Sequence, residues 1–209
     1  MSIKIGILGT SWIASQAAEA LSNLDDYEIT AVLGTSLDKA ENFIKENFIK
    51  ENFIKENKLN SIYKNCQPFE NYAELLKSDI DCVYIALPNS LHYEFASQAL
   101  EADKSAIVEK PIFSSVKEYK SLKKLADSKN LYLIEAMRSV YTKNHNIVRQ
   151  FVHQSNCITG ATIIWKNYSS KYNSYKKGQI VKVFLKSFSG GALADLGVYA
   201  ISAAVDWFG

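Results

Sequence analysis

The sequence predicts an α/β protein in which helices cover a parallel sheet. Strand-like apolar runs alternate with helix-like runs up to Arg138, which is typical of parallel strands joined by helical crossovers. The first strand-like run ends in a glycine-containing turn that opens a helix. After Arg138 a helix precedes a run rich in β-branched residues. We therefore expect two domains, residues 1–138 and residues 139–209.

Each element follows from its local pattern. Apolar, β-branched runs predict the first, second, fourth, fifth and sixth strands at residues 3–8, 28–33, 82–87, 105–109 and 131–135. Apolar residues at helical spacing predict helices at residues 17–24, 72–76, 91–102, 116–126 and about 144–153. Residues 158–165 are predicted to form a strand of a second sheet.

The turn after the first strand has the position of a phosphate-binding loop. In the G-x-G-x-x-G/A pattern, the first glycine permits the tight turn, the second admits the pyrophosphate, and the third small residue lets helix pack on strand. Gly9 and Ala14 fit, whereas Ser11 replaces the second glycine. Its Cβ would crowd a pyrophosphate unless the backbone shifts, although its hydroxyl and the helix N–H groups could hold an anion. The turn predicts a degenerate, Rossmann-type nucleotide site.

Three polar residues are candidates for chemistry. Lys110 follows an apolar strand in the segment Glu109-Lys110-Pro111, and open α/β sheets bind ligands at the carboxyl ends of their strands. Asp195 and Tyr199 are four residues apart, so on a helix they share one face. A nearby lysine stabilises phenolate and makes a tyrosine a workable general acid/base for hydroxyl oxidation. The competing interpretation is a solvated lysine, a helix-capping aspartate and a half-buried packing tyrosine.

Together these segments resemble the Gfo/Idh/MocA family of nicotinamide-dependent oxidoreductases. The resemblance extends from Ile3 to Gly209 and includes residues 88–93 and 168–172. The segment 190–199 resembles the branch of dimeric dihydrodiol dehydrogenases, in which tyrosine stands where other members have histidine. The resemblance implies hydride transfer between NAD(P) and a secondary alcohol or carbonyl of a sugar, polyol or trans-dihydrodiol.

The resemblance also implies roles for individual residues. Lys110 would orient the substrate and tune the acid, Asp195 would bind the substrate hydroxyl, and Tyr199 would move the proton. The cofactor would lie against the first turn, which comprises Gly9, Thr10, Ser11, Trp12 and Ile13. It would also lie against residues after the fourth and fifth strands, some of which shape its nicotinamide end, namely Leu87, Pro88, Asn89, His92, Glu109, Lys110 and Pro111.

The end of the second strand bears on the choice between NAD and NADP. An acid there binds the ribose 2′-hydroxyl, and an arginine favours the 2′-phosphate. The chain has Gly34, Thr35 and Ser36 at this point and therefore has neither. Ser36 and Lys39 could contact a 2′-phosphate, and residues 34–36 include no acid that would repel one. NADP is favoured, and NAD stays open.

A five-residue repeat follows in the predicted second helix. Glu-Asn-Phe-Ile-Lys at residues 41–45 recurs at 46–50 and 51–55 and breaks off at residue 57. Compared with members of the family, which need a single copy to complete this helix, the chain has two extra copies of the repeat. A five-residue period advances about 140° around a helix, so Phe43, Phe48 and Phe53 cannot share one stripe. We favour slippage of a repetitive gene tract over a new oligomer contact.

Composition fits an ordinary globular protein. With 47% hydrophobic residues, 22% charged residues and a formal net charge of +2, it gives no reason to expect a nucleic-acid or membrane-surface partner. We find no signal sequence and no apolar run of about twenty residues, so we expect a cytoplasmic protein. The scattered cysteines and histidines show no disulfide or metal-ligand spacing.

Members of the family continue well beyond Gly209, so the resemblance implies that the second domain, an α+β open sheet, is incomplete. Missing strands would leave unpaired backbone edges and remove part of the substrate wall. Two functions therefore stay open. One is an oxidoreductase with a small-molecule substrate, and the alternative is a truncated, catalytically inactive nucleotide-binding protein. A homo-oligomer paired through the open sheet is compatible with either.

Overall fold

The computed structural model describes residues 2–54 and 65–209. Parallel strands form one sheet with the order β3-β2-β1-β4-β5-β6. The strands are β1 (Ile3–Leu8), β2 (Tyr27–Leu33), β3 (Gln67–Phe69), β4 (Cys82–Ile85), β5 (Ser105–Glu109) and β6 (Leu133–Ala136). The strand order reverses between β1 and β4, and ligands bind outside the carboxyl ends of the strands at such a point. The predicted Rossmann-type, doubly wound fold is confirmed.

Helices cover both faces of this sheet. They are α1 (Trp12–Leu21), α2 (Leu37–Ile54), α3 (Tyr72–Lys77), α4 (His92–Glu101) and α5 (Val116–Ser128). One core cluster joins α1 and α2 to β1 and β2, and the other joins α3, α4 and α5 to the remaining face. Both faces of the central strands are buried, which explains why those strands are continuous apolar runs.

The predicted elements of this sheet correspond well to the observed ones. β1 and β5 have the predicted bounds, whereas α1 begins at Trp12 rather than at residue 17. The sequence patterns did not locate β3, which has only 3 residues and contains Pro68. It lies at the edge of the sheet, where a proline is tolerated because its missing N–H faces away from the ladder.

The region after β6 is helical. It contains α6 (Lys143–Gln154), α7 (Tyr172–Lys176), a π-helical turn (Leu193–Gly197) and α8 (Val198–Phe208). The predicted strand at residues 158–165 is wrong, because these residues have no regular secondary structure. Ile164 and Trp165 are exposed there, and no strand of the described residues lies beside the segment to pair its backbone.

The repeat region lies partly within the description. α2 runs without a break to Ile54, so it contains the first two copies of the repeat. Phe43 is buried, and the Asn47 amide donates to the Phe43 carbonyl at 2.8 Å. The side chains of Phe48 and Phe53, and residues 55–57, lie outside the described part of the chain, so the expectations for them stay predictions.

One stretch corrects the expectation about apolar runs. By length and composition alone, Lys186–Phe208 is long and apolar enough to cross a membrane. A single stretch of this kind is weak support for a membrane span. The backbone also leaves the helical region inside it, with φ of 53° at Ser189 and 109° at Gly191, so the stretch is not one continuous helix. A span needs continuous internal hydrogen bonding.

Candidate active site

The predicted site residues lie along one edge of the sheet. Gly9 follows β1, Gly34 follows β2, Leu87 lies just beyond β4, and Glu109 ends β5. Because all the strands are parallel, their carboxyl ends meet at the same edge. The sheet therefore assembles residues far apart in sequence beside the reversal of strand order, where a doubly wound sheet binds nucleotides.

The turn after β1 has the geometry of a phosphate loop at its first position. Gly9 has a φ of 104°, and its N–H donates to the Leu33 carbonyl at 2.9 Å. A Cβ at Gly9 would lie 2.6 Å from the Ala86 carbonyl oxygen, so only glycine fits. Ser11 is the N-cap of α1, but its hydroxyl makes no capping bond. The side chain therefore leaves the N–H groups at the start of α1 open to an anion.

Lys110 brings the three candidate catalytic residues together. Its ammonium donates to the Asp195 carboxylate at 2.9 Å and to the Asp195 main-chain carbonyl at 2.8 Å. It also lies 4.8 Å from the centre of the Tyr199 ring. The Lys110 side chain is only 15% exposed, which strengthens these contacts relative to a solvated pair. Trp165 also borders the site, because its ring stacks on that of Tyr199 with ring centres 4.4 Å apart.

Local structure explains how Asp195 and Tyr199 meet the same ammonium. Asp195 lies in the π-helical turn, and Tyr199 lies in the first turn of α8. π-helical turns are rare and occur often at functional sites. The sequence spacing predicted that the two side chains point at one place, and in the structure both contact Lys110.

Glu109 is tied to a residue that the sequence patterns did not identify. The Tyr84 hydroxyl donates to one Glu109 carboxylate oxygen at 2.5 Å, and the other oxygen accepts from the Lys110 N–H at 3.2 Å. Burial, reinforced by the Glu109 carboxylate, raises the pKa of Tyr84 above its usual value. Tyr84 therefore remains a neutral hydrogen-bond donor. Glu109, through its bond to the Lys110 N–H, fixes the backbone of Lys110.

The second region docks on the sheet edge through Ser189. The Asn89 amide donates to the Ser189 carbonyl at 3.0 Å, and the Ser114 and Ser189 hydroxyls lie 2.6 Å apart. Asn89 was assigned to the cofactor by resemblance, whereas in this structure its amide contacts protein. Ser114 and Ser189 had no sequence signal, since isolated serines in loops are common.

His92 lies behind the site rather than on its surface. It is fully buried, with Nε2 at 2.9 Å from the Leu87 carbonyl and Nδ1 at 3.0 Å from the Pro111 carbonyl. Both ring nitrogens are thus used by backbone groups. Since Leu87 and Pro111 belong to two neighbouring loops, His92 holds those loops together and can shape the nicotinamide end only through them.

The ribose end of the predicted site has its own local bonds. The Lys39 ammonium donates to the Thr35 hydroxyl at 2.8 Å, and Lys39 N–H donates to the Ser36 hydroxyl at 3.4 Å. Glu70, which follows β3, accepts a bond from Leu37 N–H at 3.3 Å. The sequence patterns missed Glu70 because they did not locate β3.

Two remaining residues of the first turn differ in exposure. Trp12 is 72% exposed, whereas Ile13 packs partly against the core between α1 and the sheet.

No group of three or more histidine, cysteine, aspartate or glutamate residues in the described parts of the chain could hold a metal ion.

Comparison with known proteins agrees with this geometry. The GFO_IDH_MocA family, described as an oxidoreductase family with an NAD-binding Rossmann fold, matches residues 3–137. The chain belongs to this family. Its members act as NAD(P)-dependent oxidoreductases, and the match covers the sheet that carries the Gly9 turn and Lys110.

Individual relatives give the family a finer context. The chain is 31% identical over 208 residues to the scyllo-inositol 2-dehydrogenase (NADP(+)) IolU of Bacillus subtilis, covering 99% of this chain and 58% of the relative. It is 26% identical to the trans-1,2-dihydrobenzene-1,2-diol dehydrogenase of Xenopus laevis, covering 96% of this chain and 55% of the relative. The chain therefore spans little more than half the length of these family members.

A solved family structure shares the arrangement of both regions. The 3-ketoreductase KijD10 of Actinomadura kijaniata, in complex with NADP and TDP-benzene, superposes with a TM-score of 0.77. The two sequences are 25% identical. The superposition covers 100% of this chain and 58% of KijD10. The likeness extends through the helical region after β6.

Proposed function

We propose that the chain is the nucleotide-binding and catalytic part of an NAD(P)-dependent oxidoreductase acting on a secondary alcohol or the corresponding carbonyl. The observation that carries the proposal is the contact of Lys110 with both Asp195 and Tyr199 at the carboxyl end of β5. A part-buried lysine, a carboxylate and a phenol at this edge are suited to proton transfer. The family match supports the reaction class.

The residues of the sheet edge fit a dinucleotide. The open N–H groups at the start of α1 would hold the pyrophosphate, with Gly9 allowing close approach. Thr35, Ser36 and Lys39 would surround the ribose end. Leu87, just beyond β4, and Glu109, at the end of β5, would border the nicotinamide end. A bound nicotinamide would supply the hydride acceptor or donor.

The chain's own residues would handle the proton and the orientation of the substrate. Asp195 is 34% exposed, so its second carboxylate oxygen can accept a bond from a substrate hydroxyl. Tyr199 would move the proton at its phenol oxygen, with the ammonium of Lys110 beside its ring. The stacked ring of Trp165 excludes water from one face of Tyr199.

The substrate class is proposed as a polyol, sugar or trans-dihydrodiol. The relatives named above are an inositol dehydrogenase, a dihydrodiol dehydrogenase and a 3-ketoreductase, and this common reaction type supports the proposed class. We assign NAD or NADP as cofactor and a single small molecule as substrate.

The alternative is a nucleotide-binding protein without turnover. It is favoured by Ser11, whose Cβ stands where the second glycine of the loop would admit a pyrophosphate. In this alternative the chain still binds a dinucleotide, with weakened affinity, but does not turn over a substrate.

A fluorescence titration with NADH and NADPH tests the cofactor site, and a screen of inositols, sugars and trans-diols tests the reaction. Saturable binding with turnover that Lys110→Ala abolishes supports the oxidoreductase. Saturable binding without turnover on any of these substrates supports the alternative. If neither cofactor binds, both proposals are wrong.

A further inference from the structure

We propose that Glu70 is a specificity-determining residue that favours NAD over NADP. The inference rests on the proposed cofactor site and concerns its ribose end. It opposes the preference for NADP that the residues after β2 suggested, because the fold places an acid there that belongs to a different strand.

The sheet brings Glu70 to the end of β2. β2 and β3 are parallel neighbours, with Leu33 opposite Phe69. The Gly34 N–H donates to the Phe69 carbonyl at 2.9 Å, which extends this pairing one step beyond the strands. Glu70 is the next residue after Phe69. It therefore lies beside the turn between β2 and α2, where dinucleotide-binding sheets hold the adenosine ribose.

The carboxylate of Glu70 already accepts a hydrogen bond from a backbone N–H that a 2′-phosphate would need. It accepts a bond from the N–H of Leu37, the first residue of α2, at 3.3 Å. The amino end of a helix attracts anions through such N–H groups. A ribose 2′-phosphate would meet both an occupied donor and a like charge, whereas a 2′-hydroxyl could donate to the same carboxylate.

Two further charged residues lie at this turn, at the start of α2. Asp38 in the first turn of α2 adds negative charge, and Lys39 adds a positive charge that is bonded to the Thr35 hydroxyl at 2.8 Å. Lys39 would attract a 2′-phosphate. Lys39 and Asp38 offset one another, which leaves the charge of Glu70 as the net bias against the phosphate.

The test compares the chain with the variant Glu70→Gln, which keeps the size and removes the charge. Glu74→Gln in the first turn of α3 is the matched control, because it removes the same charge from an exposed glutamate on a different helix. Dissociation constants for NADH and NADPH are measured by fluorescence at low salt and at high salt. NADH should bind the unaltered chain more tightly than NADPH.

Glu70→Gln should strengthen NADPH binding about tenfold at low salt and should not strengthen NADH binding. The gain should shrink at high salt because Glu70 is exposed and screened. Glu74→Gln should leave the ratio of the two constants unchanged. If the unaltered chain binds both cofactors and Glu70→Gln leaves their ratio unchanged, the role of Glu70 is wrong while the proposed function stands. Failure of both cofactors to bind would instead overturn the proposed function and this inference with it.

Discussion

Replacing Gly9 by alanine should destabilise the fold and remove cofactor binding, for two separable reasons. A φ of 104° is strained for any residue with a Cβ, at a cost of about 1–3 kcal/mol. The added Cβ would also lie 2.6 Å from the Ala86 carbonyl oxygen, where ordinary contact begins at 3.4 Å. The ends of β1 and β4 must then separate, and such overpacking adds about 1–3 kcal/mol.

The chain provides a matched control in Gly191. Its φ is 109°, yet a Cβ there would meet no heavy atom within 4 Å. Gly191→Ala should therefore cost only the backbone strain of about 1–3 kcal/mol. The assay is urea unfolding of the two variants, with the free energies compared at equal m-values. Gly9→Ala should be the more damaging and should also lose NADH affinity. A Gly9→Ala variant no less stable than Gly191→Ala would refute the argument from close approach.

Three further predictions concern the site and the thiols. Lys110→Met should lower turnover by about 10²–10⁴-fold, measured as kcat, because the charge that joins Asp195 and Tyr199 is lost. Tyr199→Phe should keep the stack on Trp165 and the NADH affinity while turnover falls by a similar factor of about 10²–10⁴; retained turnover would remove Tyr199 from the proton path. Iodoacetamide at pH 8 should modify exposed Cys157 alone, seen by mass spectrometry, because burial raises the pKa of both Cys66 and Cys82 to about 12 and keeps those thiols protonated until the pH approaches that value.

The centre of the sheet could be predicted because its strands are buried on both faces. β1 and β5 have the predicted bounds, since a buried parallel strand is a continuous apolar run that ends where the polar turn begins. β3 could not be found in this way. Its 3 residues include Pro68, and its position depends on pairing with β2 rather than on its own pattern.

The wrong prediction at residues 158–165 has the opposite cause. β-branched residues favour a strand only where a neighbouring strand accepts their backbone bonds. Among the described residues no such neighbour lies beside this segment. Local pattern therefore indicated a strand that tertiary structure does not provide.

The candidate site divides in the same way. Lys110, Asp195 and Tyr199 could be predicted because each belongs to a motif with fixed spacing, and the structure brings them together. Tyr84 and Glu70 could not, because a tyrosine inside a strand and a glutamate after an unrecognised strand carry no local signal. Both reach the site only through the pairing of neighbouring strands.

The contacts at the sheet edge also separate nucleotide binding from chemistry. The Gly9 turn and α1 belong wholly to the sheet domain, so dinucleotide binding depends on that domain. Asp195 and Tyr199 reach Lys110 only when the second region is docked, and two hydrogen bonds of Ser189 help to hold it there. For the proposed oxidoreductase, we therefore expect loss of docking to abolish turnover and preserve NADH binding. A chain that binds NADH without turnover should be examined first at the Ser189 contacts, before its candidate catalytic residues are judged inactive.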